Sequence, residues 1–202
     1  LDAEGERIAE AGDLDAALAN AKLYEAEYEV GLAPHAAIEP LTATAALADG
    51  RLQLWIATQL PGLAREAAAR AIGLDPEKVT VHPMLVGGSF GRKYEVEIAG
   101  QVAILALKLK RPVQLVWSRA EDMMHEPFRP AARARMAARL GRAGHIDAWR
   151  AHIAAPNALG EMRSRTLGGL SADEARKELA GHAHFHAADG AIPAYSIEHY
   201  GI

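Results

Sequence analysis

The sequence predicts an α+β fold: a mixed sheet with β-α-β crossovers, packed by two main helices, plus a hairpin. Three observations carry this. Between Arg51 and Val86 an apolar strand pattern, an alanine-rich helix pattern and a second strand follow one another. The same order, strand then helix then strand, recurs from Val79 to Trp117. Asp49-Gly50, between two apolar runs, is a strong two-residue hairpin signal. A length of 202 residues suits a single domain over residues 1–202, or one lobe of a larger one.

Taken in order, Asp13–Asn20 reads as a short helix capped by Asp13. Lys22–Val30 alternates and reads as a half-buried strand. Leu41–Ala48 and Arg51–Thr58 are the arms of the Asp49-Gly50 hairpin. Pro61–Ile72 is a helix with Leu60, Leu63, Ala64, Ala67, Ala68 and Ala71 on one stripe, ended by Gly73. Val79–Val86 is the next strand. Tyr94–Lys108 is a second helix, apolar nearly all round and therefore expected to be buried, with Glu95 and Glu97 in its first turn. Pro112–Trp117 is a strand. Arg133–Leu140 and His145–Ile153 flank a turn at Gly141–Gly144 and make a second hairpin. Ser171–Leu179 is a helix opened by a Ser171/Glu174 capping pattern. Ala191–Tyr200 reads as loop plus strand; the pattern is least defined over residues 154–202.

Composition sets limits on function. Half the chain is hydrophobic but only 5% is aromatic, so the core is expected to be thin and packed through alanine. A net charge of -4 with dispersed basic residues argues against a nucleic-acid partner. With no cysteine, the chain itself can hold neither a disulfide nor a cysteine-ligated iron–sulfur cluster. No apolar run reaches membrane-spanning length and no signal peptide is visible. Because the chain opens on Leu1 rather than Met, it is expected to be a mature, processed or excised piece, and periplasm and cytoplasm both stay open as its location.

Two right-handed crossovers in one sheet would bring both strand-to-helix loops to the carboxyl ends of their strands, where ligands bind in open α/β sheets. The first loop holds Thr58, Gln59 and Pro61, the second Gly87–Lys93. In the second, Gly87, Gly88 and Gly91 allow left-handed backbone angles and close approach to a ligand. Free N–H groups at the following helix start suit an anion. Arg92 and Lys93 stand at the positive end of that helix, a placement that a bound anion, or Glu95 and Glu97, would relieve. The loop fits neither the P-loop nor the dinucleotide fingerprint, and an ordinary glycine-rich turn is its plain alternative. Gln59 can donate a hydrogen bond while staying neutral, or simply bond local backbone. His35 and Glu39 are too few ligands for a metal and suggest a structural histidine–carboxylate contact. His182, His184 and His186 would face one way on a strand and could bind zinc or nickel; on a loop they are merely polar. We assign no metal ligand.

The segments HAAIEPLTATA, LWIATQLPG, VGGSFGRK, RPVQLVWSRAEDMMHEPFRPAA and GAIPAYSIEHY occur in this order. That order resembles the molybdopterin-binding large subunits of the xanthine dehydrogenase and aldehyde oxidase superfamily. The EPFRPAA run is most similar to the isoquinoline 1-oxidoreductase β-subunit type. The resemblance implies the first lobe of a molybdenum-cofactor-binding domain, with molybdopterin, in the cytosine dinucleotide form, as cofactor. The family's GGGFG-type loop falls on Gly87, Gly88, Ser89, Phe90 and Gly91, followed by Arg92; its glutamine near the molybdenum centre falls on Gln59. Ser89 replaces the usual third glycine and is expected to strain the backbone. Tyr94 falls on a substrate-pocket position where purine-oxidising members carry glutamate, which points to an N-heteroaromatic or aldehyde substrate.

Members of the superfamily are several times longer, and their general-base glutamate lies in a downstream G-x-G-E context that these 202 residues do not contain. The resemblance therefore implies no catalytic residue here and a chain that is inactive by itself and does not retain the cofactor outside the full enzyme. Its implied partners are the remaining lobe of the large subunit and an iron–sulfur subunit or domain, with self-association of the bare lobe expected. The competing reading is a non-catalytic module that binds a ligand or a partner protein.

Overall fold

In a computed structural model, the structure describes residues 5–158, 161, 162, 165 and 192–200. The elements run β1 (Glu6–Ala11), α1 (Leu14–Leu18), β2 (Leu23–Val30), β3 (Thr42–Ala48), β4 (Arg51–Ile56), α2 (Pro61–Ile72), β5 (Val79–Pro83), α3 (Glu97–Leu109), β6 (Val113–Val116), α4 (Arg119–His125), β7 (Ala132–Leu140), β8 (Ile146–Ala154) and β9 (Ala194–Tyr200). They form two compact units, one made of residues 1–33 and 130–202, the other of residues 34–129. The fold is mixed α/β, with one mixed sheet in each unit.

In the unit of residues 34–129 the sheet order is β5-β4-β3-β6. The hairpin β3–β4 is antiparallel and turns at Asp49 and Gly50, with φ of 50° and 70°. Positive φ at both central residues is the primed turn that matches strand twist, as Asp-Gly predicts. β5 lies parallel to β4, so β4-α2-β5 is the first crossover. The second runs from β5 through α3 to β6, which pairs with β3 at the opposite edge instead of beside β5. Ala43, Ala45, Leu52, Leu54 and Ile56 form one sheet face and pack with Ala64, Ala68, Ile98, Val102 and Ala106 in a single core. Small residues let the helices approach closely: a Cβ on Gly100 would stand 3.3 Å from Ala71 Cβ.

Three expectations change here. β5 stops at Pro83, not Val86, and α3 starts at Glu97, not Tyr94, because a 3-10 turn at Arg92–Tyr94 intervenes. Glu95 therefore lies outside the helix. α3 is buried on one face only; Ile104, Leu107 and Leu109 are exposed. α4 was not expected, although its start is a legible capping box: Ser118 Oγ accepts from Glu121 N at 3.1 Å.

In the other unit the sheet order is β1-β9-β8-β7-β2, with β8 and β9 parallel and the other pairs antiparallel. The hairpin β7–β8 matches the expected one. Asp13 caps α1 as expected, accepting from Ala16 N at 3.0 Å, but the helix ends at Leu18. β2 is an edge strand of this sheet and largely exposed, not half-buried, because only β7 covers it. β1 was not anticipated: its partner β9 lies at the far end of the sequence. The expected helix at Ser171–Leu179 and His182, His184 and His186 lie outside the described residues.

Candidate functional site

Because β4 and β5 are parallel neighbours, the segments that leave them emerge at the same sheet edge. The structure joins these segments with several hydrogen bonds. Gln59 N donates to Lys93 O at 3.1 Å, and Thr58 Oγ1 donates to the same oxygen at 3.1 Å. Ser89 Oγ donates to Gln59 Oε1 and accepts from Lys93 N at 3.1 Å. The convergence of the two loops, expected from the crossovers, is therefore observed. Gln59 is exposed, and with its amide oxygen engaged, its NH₂ hydrogens remain uncommitted among the described residues.

The glycine loop turns through three positive φ angles: 90° at Gly88, 57° at Phe90 and 103° at Gly91. Ser89 is not among them, so the strain expected there falls on Phe90 instead. Phe90 is 66% exposed. Gly87 is glycine for a steric reason: a Cβ there would come within 2.7 Å of Glu39 Cβ. At Gly91 an added Cβ would find room, at 3.4 Å from His35 Nε2, and it is the φ of 103° that favours glycine.

The N–H groups flanking the loop are satisfied. Gly87 N donates to Glu39 Oε2 at 3.0 Å, Arg92 N to Ser89 O at 3.0 Å and Tyr94 N to Gly91 O at 3.2 Å. Between them, the N–H groups of Gly88, Ser89, Phe90 and Gly91 have no acceptor among the described residues. Four consecutive uncommitted donors on a backbone that turns through left-handed angles are the kind of arrangement that can hold an anion or an oxo-bearing group.

Buried charge lies behind the loop. The side chains of Arg92 and Lys93 are each 1% exposed. Arg92 Nη2 donates to Glu97 Oε1 at 2.7 Å; its Nε stands 3.5 Å from Asp122 Oδ1 and 4.0 Å from Glu126 Oε2, and its guanidinium lies 5.6 Å from the Trp117 ring centroid. Lys93 Nζ pairs with Glu39 Oε2. Arg119 Nη1 donates to Asp122 Oδ2 at 3.2 Å, and its Nη2 donates to the carbonyls of Ala37 and Ile38. Glu126 accepts from His35 N and lies 3.2 Å from His35 Nδ1. Burial pushes the Glu39 carboxyl up, but the Lys93 ammonium and the Gly87 N–H outweigh it, and its pKa is held below the ordinary value.

Gln59, Gly87, Gly88, Ser89, Phe90 and Gly91 thus share one sheet edge, and Tyr94, 40% exposed, follows on the adjoining turn. The Arg92 guanidinium does not join them: it is enclosed with Glu97, Asp122 and Glu126. Glu97 relieves the guanidinium, as expected. The histidine–carboxylate contact exists, but His35 pairs with Glu126 while Glu39 pairs with Lys93. Sequence reasoning missed Asp122 and Glu126, although they stand in the run SRAEDMMHEPFRPAA. The signal was the acids just after the Ser118/Glu121 capping box that opens α4.

Residues 2–164 match the model of the family described as the molybdopterin cofactor-binding domain. The chain belongs to this family. The beta subunit of isoquinoline 1-oxidoreductase from Brevundimonas diminuta is 33% identical over 157 residues, which cover 76% of this chain and 20% of that protein. The large subunit of nicotine 6-hydroxylase from Paenarthrobacter nicotinovorans is 33% identical over 129 residues, 58% of this chain and 15% of that one. This molybdopterin cofactor-binding domain therefore spans about a fifth or less of these curated relatives. Among solved structures, aldehyde oxidoreductase from Desulfovibrio gigas superposes with a TM-score of 0.64 over 80% of this chain and 18% of its own, at 23% identity, a likeness of fold.

Proposed function

We propose that this chain is part of a molybdenum hydroxylase that oxidises an N-heteroaromatic or aldehyde substrate with water as oxygen source. It holds molybdopterin, in the cytosine dinucleotide form, through the GGSFG loop and Gln59. The observation that carries this reading is the run of four uncommitted N–H groups at Gly88–Gly91, beside an exposed glutamine whose oxygen is already bonded. When bound, molybdopterin supplies a molybdenum centre that accepts electrons from the substrate. The chain's own part is to bind and orient. The Gly88–Gly91 N–H groups offer fixed donors at no reorganisation cost, and the Gln59 amide adds a neutral donor beside them. Phe90 and Tyr94 border the loop as aromatic surfaces for a planar substrate. Arg92 contributes by anchoring the loop from behind.

No group in this reading acts as general base; that role falls to a glutamate in a remaining lobe of the large subunit, and electrons leave through an iron–sulfur subunit or domain. Ile38, Met84, Leu85 and Phe90, at 92%, 50%, 96% and 66% exposure around the loop, support the additional lobe, since such apolar clusters mark interaction surfaces. Without that lobe the chain is expected to self-associate. The test is melting with and without molybdopterin, together with a dye-reduction assay on quinoline-type substrates. Ligand at a hundredfold its Kd adds about 2.7 kcal/mol, which raises Tm by roughly 5–11 °C for a chain of this size. No shift refutes cofactor binding and favours the non-catalytic module. Turnover by the chain alone refutes the missing base.

A further inference from the structure

We propose that the segment Pro34–Pro40 is a two-point clamp that sets the shape of the glycine loop before any cofactor arrives, with Glu39 and Glu126 as its positioning residues. That shape matters as a cofactor cradle only if the proposed function holds.

At one end, Glu39 and Gly87 exchange hydrogen bonds in both directions. Glu39 N donates to Gly87 O and Gly87 N donates to Glu39 Oε2, each at 3.0 Å. The same carboxylate oxygen takes Lys93 Nζ, so one side chain spans both ends of the loop, Gly87 and Lys93. At the other point, His35 lies beside Gly91, where an added Cβ would meet its Nε2 at an ordinary contact distance of 3.4 Å. The imidazole is fixed there because Glu126 holds both its backbone N–H and its Nδ1. The Glu126 side chain is fully buried and also faces Arg92. Arg119, which bonds the carbonyls of Ala37 and Ile38 and the carboxylate of Asp122, holds the clamp segment between its two contact points.

This arrangement explains why the polar groups around the loop divide sharply. The N–H groups of Gly87, Arg92, Lys93 and Tyr94 are taken by Glu39 or by oxygens of the loop itself, whereas those of Gly88–Gly91 are left as donors. The partly exposed Glu39 and the buried Arg92, Lys93 and Glu126 brace the loop from outside, and the central donors stay available. Buried charge pairs suit such a role, because breaking one leaves an uncompensated ion and so penalises every alternative conformation.

The experiment is residue-resolved amide hydrogen exchange on the full chain: wild type, Glu39→Gln, Glu39→Asp and Glu126→Gln. The reporters are the N–H groups of residue 39, Arg92 and Lys93, which bond Gly87 O, Ser89 O and Ser89 Oγ. Glu39→Gln is expected to speed their exchange about tenfold or more, with the β3–β4 pairs unchanged. Glu39→Asp, which keeps the charge on a shorter arm, falls between. Glu126→Gln is expected to act most at Arg92 and Tyr94. Unchanged loop exchange overturns the clamp, and so does an equal acceleration in loop and strands. If Glu126→Gln fails to fold, the Glu39 pair decides. Adding molybdopterin to the wild type separates the two ideas: protection newly gained at Gly88–Gly91 supports the cradle, while its absence removes the cofactor reading and leaves the clamp to stand or fall on the variants.

Discussion

The two units use the same ion-pair chemistry in opposite settings. In the unit of residues 1–33 and 130–202, Arg133 and Arg135 both reach Glu27 across β2 and β7, at 2.9 and 2.7 Å, with all three side chains 43–54% exposed. In the unit of residues 34–129, Arg92, Asp122 and Glu126 meet with side chains at most 1% exposed. The first set closes an edge strand whose surface stays wet; water competes for each charge, and the pairs carry little energy. The second set is out of water, so each member depends on the others. Distance alone would rank the exposed pairs as stronger. Burial reverses that order and shows which charges constrain a backbone.

The comparison can be broken at its strongest point first. Arg92→Met removes the cation shared by two buried carboxylates, leaving Asp122 to Arg119 and Glu126 to His35, and is expected to cost about 3–5 kcal/mol in urea unfolding. A cost below about 1 kcal/mol would mean that Arg119 and His35 suffice to satisfy Asp122 and Glu126. The pH response of Glu39 comes next. Its folded-state pKa is lowered, so its stabilising contribution is present above the unfolded carboxylate pKa and is lost as pH falls through the folded one. The stability gap between wild type and Glu39→Gln should therefore be widest near neutrality and shrink in acid. A gap that widens in acid would contradict the assigned partners. The smallest effect is expected at Glu27→Ala, a slight loss in urea unfolding that fades as salt is raised. A larger, salt-resistant loss would show that the edge strand depends on these pairs.

Much of this was legible in the sequence, for identifiable reasons. Asp49-Gly50 specifies a turn locally, and Pro61–Ile72 carries its own start, stripe and glycine stop, so both emerge where expected. The meeting of Gln59 with the glycine loop followed from the parallel order of β4 and β5. What failed depended on distant partners. β1 has no pattern of its own and exists through β9. β2 alternates like a half-buried strand, yet alternation cannot reveal that it ends a sheet. The strain expected at Ser89 moved to Phe90 because one-residue shifts of a left-handed angle leave no trace in composition. The clamp was hidden for the same reason: His35 lies four residues from Glu39 but 91 from Glu126, the partner it has.

A preformed cradle for molybdopterin at the backbone of Gly88–Gly91 would respond to the cofactor residue by residue, and titrating molybdopterin into the isotope-labelled chain while following amide resonances reads that response. Large shifts are expected at the N–H groups of Gly88, Ser89, Phe90 and Gly91 and at the Gln59 side-chain amide, with little change at Gly87 and Arg92, whose N–H groups are already bonded. Shifts centred elsewhere, or none at saturating cofactor, would contradict it.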